Sequence, residues 1–252
     1  MTAADVGDGD RAGQRSRALV SRDDAERYAS GVKTEVTVAR IRERVASLLV
    51  DLAGRGVTST TLSERVPGAD LFVTRPVDSD DELAPEKMIV VSLAGVPVSG
   101  TPGEDGVLPA DVELYAAILR ESDAAAVVHL ESGHAAAWAA RGEAIPCLTA
   151  QAAREFGGAV PIVDGPSVEA SVVLGALRSG ASGAVLVTGL GAFCVAPSAR
   201  EAVRLAQVLE GVARTARLAG TGGDLVPLEK DAVSQLSRNA HALRSTTTEG
   251  RR

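Results

Sequence analysis

The segment "LPADVELYAAILRESDAAAVVHLESGHAAAWAARGEAIP" (108–146) carries three elements in a row, and its reading decides the fold. "ADVELYAAILRES" (110–122) sets Leu114, Ala117 and Ile118 on one face, the spacing of an amphipathic helix. "AAAVVHL" (124–130) is a short unbroken apolar run, which predicts a strand covered on both sides, with His129 near its end. "GHAAAWAARG" (133–142) predicts a second short helix, closed by Gly142. A strand buried on both faces between two helices calls for a layered α/β domain with helices on both sides of the sheet.

The flanking chain repeats this alternation. On the N-terminal side, "TVARIRERVASLLVDLAGRG" (37–56) aligns Val38, Ile41, Val45, Leu48, Leu49 and Leu52 on one helical face before two glycines stop it. "LFVT" (71–74) and "MIVVSLAGVPVSG" (88–100) read as strands, the second broken by a turn at Ala94-Gly95. On the C-terminal side come a strand in "VPIVD" (160–164), a helix in "SVEASVVLGALRSG" (167–180) and two strands around a glycine turn in "GAVLVTGLGAFCVA" (183–196). A long helix follows from 198 to 220, where Ser198 and Glu201 form a capping box, and a last helix spans 229–242. The expected organisation is one α/β domain over residues 35–243, with polar tails at 1–34 and 244–252.

Composition narrows the partners. A net charge of −7 argues against nucleic acid and anionic membrane surfaces, which need a basic face. Aromatic residues make up only 2%, so few rings are available to stack on bases or sugars. No apolar run approaches the roughly 20 residues of a membrane helix. The two cysteines, Cys147 and Cys194, stand in no metal-binding spacing. Nothing at the N-terminus reads as a signal peptide, so the expectation is a cytoplasmic protein with free thiols.

Several stretches, in order, resemble the class II aldolase/adducin family, the family of the fuculose-phosphate aldolases. "VTSTTLSER" (57–65) is similar to its "GTSGNISxR" loop. "FVTRPVDSDDELAPEKMIVVSLAGVPVSG" (72–100) is similar to "ITPSGxxYDxLTPEDIVVVDLDGxVVxG", and the 108–146 segment to the run from "PSSE" to "VVHTHSxxATAxA". "VLVTGLGAF" (185–193) stands where the family has "VLLANHGVL". The resemblance covers about 36–230. It implies a class II aldolase-like α/β/α sandwich with a mixed, mainly antiparallel central sheet, assembled as a homotetramer with active sites between subunits.

The resemblance also implies a site, and shows it altered. Family members hold a divalent metal with three histidines; here the first position is His129, the second is Glu131, and the third falls on Leu190. The acid/base glutamate falls on Asp111, and a proton-donating tyrosine falls near Ala150. The phosphate loops change to Thr60-Thr61 and Arg75-Pro76-Val77, with Thr58, Ser59, Ser63 and Arg65 keeping the first loop's pattern. Loss of one of three imidazoles weakens a zinc site, so the expectation is either no cofactor or a weakly held divalent metal.

The candidate catalytic set is His129, Glu131, Asp111 and Tyr115, the last four residues after Asp111 on the same helical face. Thr58, Ser59 and Arg75 are the candidate substrate-binding residues, with Arg75 suited to a carboxylate or phosphate. His129, Glu131 and His134 are a candidate metal set, two imidazoles and a carboxylate. The leading expectation is a repurposed enzyme of specialised bacterial metabolism, of lyase or isomerase type. It would act on a carbonyl- and hydroxyl-bearing small molecule by proton transfer at carbon. Two alternatives stand beside it: a non-catalytic scaffold like the adducin head domains, and a non-haem iron enzyme using His129, Glu131 and His134.

Overall fold

In a computed structural model, the described residues are 22–77, 83–98, 106–165, 167–179 and 183–249, with side chains described from 31 to 242. Seven strands form one sheet in the order β3-β2-β1-β4-β7-β6-β5. They are β1 (Thr60–Arg65), β2 (Leu71–Thr74), β3 (Ile89–Ser92), β4 (Ala126–Leu130), β5 (Ile162–Val163), β6 (Ala184–Val187) and β7 (Gly191–Ala196). Every pairing is antiparallel except β5 with β6. The α-helices among the described residues are α1 (Arg22–Gly54), α2 (Val112–Glu121), α3 (Gly133–Arg141), α4 (Ala150–Phe156), α5 (Ala170–Ser179), α6 (Ala199–Gly220) and α7 (Lys230–Glu249).

Strand alternation divides the core into two layers. Ala126, Val128 and Leu130 of β4 and Ala192, Cys194 and Ala196 of β7 face one way, packing with residues of α1, α3, α4 and α6. Val127 of β4, Phe193 of β7 and Val185 and Val187 of β6 face the other, where α2 and α5 supply Tyr115, Ile118, Leu119, Val173 and Leu174. Both faces of the middle strands are covered, which is why they read as unbroken apolar runs. Cys147 and Cys194 are buried and free, and burial pushes both thiols up. No described helix is long and apolar enough to cross a membrane.

The ends of the sheet are blunted. β5 contributes two residues. At the other edge the chain after β3 turns through Gly95, at φ +83°, and folds back on it: Ser92 N–H donates to Val96 and Val98 N–H to Val90, with Pro97 beside Val91.

Four elements differ from the sequence reading. Thr60–Arg65, read within a loop, is the strand β1 next to the centre of the sheet. Its polar side chains are satisfied where they lie: Arg44 of α1 grips Glu64 with Nε to Oε2 at 2.9 Å and Nη2 to Oε1 at 2.8 Å, and Ser63 Oγ meets Thr74 Oγ1 at 2.8 Å. The short helix α4, capped by Thr149 Oγ1 accepting from Ala152 N–H, has too few turns to show a period. α1 begins at Arg22, inside the stretch assigned to a polar tail, and α7 runs to Glu249, past residue 243. Residues 1–21 and 250–252 of the expected tails lie outside the described residues.

Candidate active site

The site forms where β4 ends. β4 carries His129 between its register partners Thr61 on β1 and Phe193 on β7, on the face that α2 covers. The ring stacks on Phe193, with centroids 4.1 Å apart and planes 9° from parallel, and is 1% exposed. Its Nδ1 lies 2.7 Å from the hydroxyl of Tyr115, itself 1% exposed, and 3.8 Å from Asp111 Oδ2. Its Nε2 lies 3.0 Å from the main-chain oxygen of Leu190, in the turn joining β6 to β7. Asp111 stands at the N-terminal end of α2, one helical turn before Tyr115, which is how one helix brings both to the imidazole. Glu131 leaves the end of β4 and is exposed, whereas the Asp111 side chain is 22% exposed.

The tautomer follows from the partners. A carbonyl oxygen accepts only, so Nε2 carries the proton donated to Leu190; Nδ1 then accepts, and Tyr115 O–H donates to it. Thr61, opposite His129 in the ladder, acts on the Tyr115 phenol in the lowering direction. Burial pushes the His129 imidazole below its usual value, outweighing the Leu190 bond and the Glu131 and Asp111 charges, which act upward. Burial lifts the Tyr115 phenol well above its usual value, and the Asp111 and Glu131 charges add to that. His129 is therefore neutral and Tyr115 protonated at neutral pH.

The surrounding loops are tied together by their backbones. Ser59 takes φ +48°, a left-handed conformation that costs a residue with a Cβ about 1–2 kcal/mol, and its carbonyl accepts from Glu131 N–H at 3.1 Å. Thr58 O accepts from Ser132 Oγ at 2.6 Å. Arg75, just past β2, donates from Nη1 to Thr60 O at 3.0 Å. Glu210 of α6 caps α3: Oε2 accepts from His134 N–H at 2.7 Å and Oε1 from Ala135 N–H at 3.0 Å. Gly133 permits this approach, since a Cβ there would meet the Glu210 carboxylate within 3 Å.

Asp111, His129, Glu131, Tyr115, Thr58, Ser59 and Arg75 thus belong to one end of the sheet. His134 does not join His129 and Glu131: its Nδ1 lies 3.4 Å from Glu210 Oε2, on the α6 side. Among the described residues, the group that could hold a cation is instead Asp111, His129 and Glu131, with ligand atoms all within 4.8 Å of one another. This set fits a hard divalent ion, two carboxylates and one imidazole nitrogen. Sequence reasoning placed Thr61 and Leu190 at altered positions without their parts in the structure, and missed Phe193, Ser132 and Glu210. Only the register of β1, β4 and β7 and the packing of α6 reveal them, and neither leaves a local pattern.

An α/β/α layered domain whose titratable residues gather at one end of a mainly antiparallel sheet defines the structural class. Within that class, residues 43–217 match the family model described as the class II aldolase and adducin N-terminal domain, and the chain belongs to that family. Among solved structures, an aldolase II superfamily protein from Pseudomonas syringae is similar with TM-score 0.72 and 20% identity, covering 82% of this chain and 86% of that one. The L-fuculose 1-phosphate aldolase from Glaciozyma antarctica PI12 gives 0.68 and 18%, over 82% and 83%. The L-fuculose-1-phosphate aldolase from Thermus thermophilus gives 0.58 and 24%, over 74% and 100%. These likenesses establish the fold. Comparison with curated proteins by sequence gives no match.

Proposed function

We propose that this chain is an enzyme that moves a proton at carbon in a small molecule carrying a carbonyl and a hydroxyl group. Isomerisation, dehydration, cyclisation and retro-aldol cleavage belong to this class. The observation that carries the reading is the convergence of an imidazole, a phenol and two carboxylates at the end of β4.

The roles follow from what each group is bonded to. Both ring nitrogens of His129 are engaged by Leu190 and Tyr115, so the imidazole orients its neighbours. Asp111 and Glu131 are the groups that reach solvent and hence substrate. One carboxylate takes the proton from the carbon next to the carbonyl, whose electrons pass to the carbonyl oxygen and leave an enediolate. The proton then returns to a neighbouring carbon, or the enediolate expels a leaving group. A divalent cation held by Asp111 and Glu131, joined by His129 where Tyr115 gives up Nδ1, would supply Lewis-acid polarisation of that carbonyl. Arg75, with Thr58 and Ser59, would receive an acidic group of the substrate. The reading extends to a homotetramer in which a neighbouring subunit closes the site.

The test is proton exchange. The full chain is incubated in D2O with α-hydroxyketones and their phosphate esters, and C–H to C–D exchange is followed by NMR. Exchange that falls about 100-fold or more in Asp111→Asn and Glu131→Gln is expected, the usual contribution of a general acid or base. Absence of exchange across the panel would overturn the enzyme reading. It would favour the non-catalytic one, which the burial of His129 on Phe193 supports, since the imidazole is built into the core. The iron-enzyme reading needs His134 beside His129 and Glu131, and its ring sits against Glu210 instead.

A further inference from the structure

We propose that the chain carries a second small-molecule site, at the C-terminal ends of α3 and α6, and that it takes a zwitterionic amino acid. Arg217 receives the carboxylate, Asp224 the ammonium group, and Trp138 and Leu225 the apolar side chain. The place is separate from the candidate active site. α3 is 9 residues long, about 13 Å, and Ser132, which borders that site, stands at its other end.

A cavity of about 630 Å³ opens here, within the size range of small-molecule sites. Its walls are fixed before any ligand arrives. Trp138, 5% exposed, donates from Nε1 to the Ala213 carbonyl at 3.0 Å, which ties α3 to α6 at this end. The Arg141 guanidinium lies 5.2 Å from the centroid of the Trp138 ring and grips Glu143, Nη2 to Oε2 at 2.8 Å. Another wall is the chain leaving α6. Thr221 Oγ1 donates to the Leu218 carbonyl at 2.6 Å, Gly223 takes φ +138°, and Leu225 folds back until a Cβ on Gly220 would meet it at 3.7 Å. Leu228 N–H then donates to the Cys147 carbonyl at 2.9 Å and holds the loop at its far end.

The charges on the cavity define the ligand. Arg141 and Glu143 answer each other. Arg217 and Asp224 are exposed, and among the described residues neither side chain has an ion pair or hydrogen bond, with the other or with any group. One cavity thus presents a guanidinium and a carboxylate that are not spent on each other. A simple anion would suit Arg217 and be repelled by Asp224; a simple amine would do the reverse. A ligand with both charges suits both, through charge-assisted hydrogen bonds. The negative pole at the end of α6 favours the ammonium group beside Asp224. Trp138 and Leu225 select an apolar side chain.

Trp138 is the only tryptophan in the chain, so its fluorescence reports on this cavity. The full chain is titrated with L-phenylalanine and L-leucine and followed by Trp138 emission and by calorimetry. The expected result is one amino acid bound per chain at millimolar concentration or below, with a change in emission. Affinity should fall about tenfold or more in Arg217→Gln and in Asp224→Asn, each of which removes one charge-assisted contact. It should fall as far for hydrocinnamate and phenethylamine, which each lack one charge of phenylalanine. Both substituted side chains are exposed and unpaired, so the variants keep the parent fold, which circular dichroism checks. No binding at millimolar ligand, affinity unchanged in either variant, a singly charged analogue binding as tightly as phenylalanine, or heat without a change in Trp138 emission overturns the proposal.

Discussion

Gly191→Ala tests the join between the β6–β7 turn and the end of β4, on which the His129 geometry depends. Gly191 has φ +118°, and a Cβ added there would overlap the Leu130 carbonyl oxygen while pressing on Leu130 C at 3.2 Å and Glu131 Cα at 3.4 Å. The obstacle is backbone, and the β4–β7 ladder runs from Ala126–Ala196 to Leu130–Ala192, so no flexible side chain can move aside. The unfavourable φ costs about 1–2 kcal/mol, and overpacking against a fixed neighbour typically adds about 1–3 kcal/mol. The sum, about 2–5 kcal/mol, is a large share of the roughly 5–15 kcal/mol that stabilises a domain. At about 2–4 °C per kcal/mol for a chain of this size, the melting temperature should drop by about 4–20 °C. Gly142→Ala is the control: its φ is +70°, and a Cβ there would meet nothing within 4 Å, so it carries the backbone cost alone. Urea unfolding of both variants decides the matter. A Gly191→Ala chain as stable as Gly142→Ala would refute the close approach, and with it the fixed position of the Leu190 carbonyl.

Three further outcomes are expected. Tyr115→Phe leaves the buried His129 Nδ1 without its donor, so urea unfolding should show a loss of about 1–3 kcal/mol with the fold retained. Because burial lowers the His129 value below that of the unfolded chain, about 6.5, the unfolded state binds the proton more readily. Its contribution to stability is complete above pH 6.5 and declines as the pH falls from there towards the lowered folded value; melting curves should therefore weaken more steeply on acidification in the parent chain than in His129→Asn. Glu210→Ala strips α3 of the carboxylate that accepts from His134 and Ala135, and thermal unfolding should report a loss of about 1–2 kcal/mol, the usual cost of a missing helix cap.

Elements with a strong period were legible in the sequence, and elements with none were not. The helix from Ser198 shows its capping box in the letters, and Ser198 Oγ does accept from Glu201 N–H at 3.2 Å. β4 and β7 show as apolar runs because both faces are covered. β1 is as deeply buried as they are but reads Thr-Thr-Leu-Ser-Glu-Arg, since its polar groups are answered by Arg44, Thr74 and the site itself. Burial with satisfied hydrogen bonds leaves no hydrophobic signature. The site divides the same way. Asp111 and Tyr115 stand one helical turn apart, which spacing reveals, but that their shared face meets His129, and that Leu190 offers its carbonyl there, depends on sheet register and on a turn held by backbone bonds. His134 differs because the direction of a side chain in a helix's first turn is set by what packs over it, here Glu210 of α6.

The two margins of the sheet bear on how copies of this chain can associate. A strand with a free row of amide and carbonyl groups invites another chain to extend it, and proteins avoid this by shortening or covering such strands. Here one margin is a two-residue strand, and the other is roofed by the 96–98 return, where Pro97 offers no amide hydrogen. Among the described residues, neither margin therefore offers a long row of free strand amides and carbonyls for a second copy to extend.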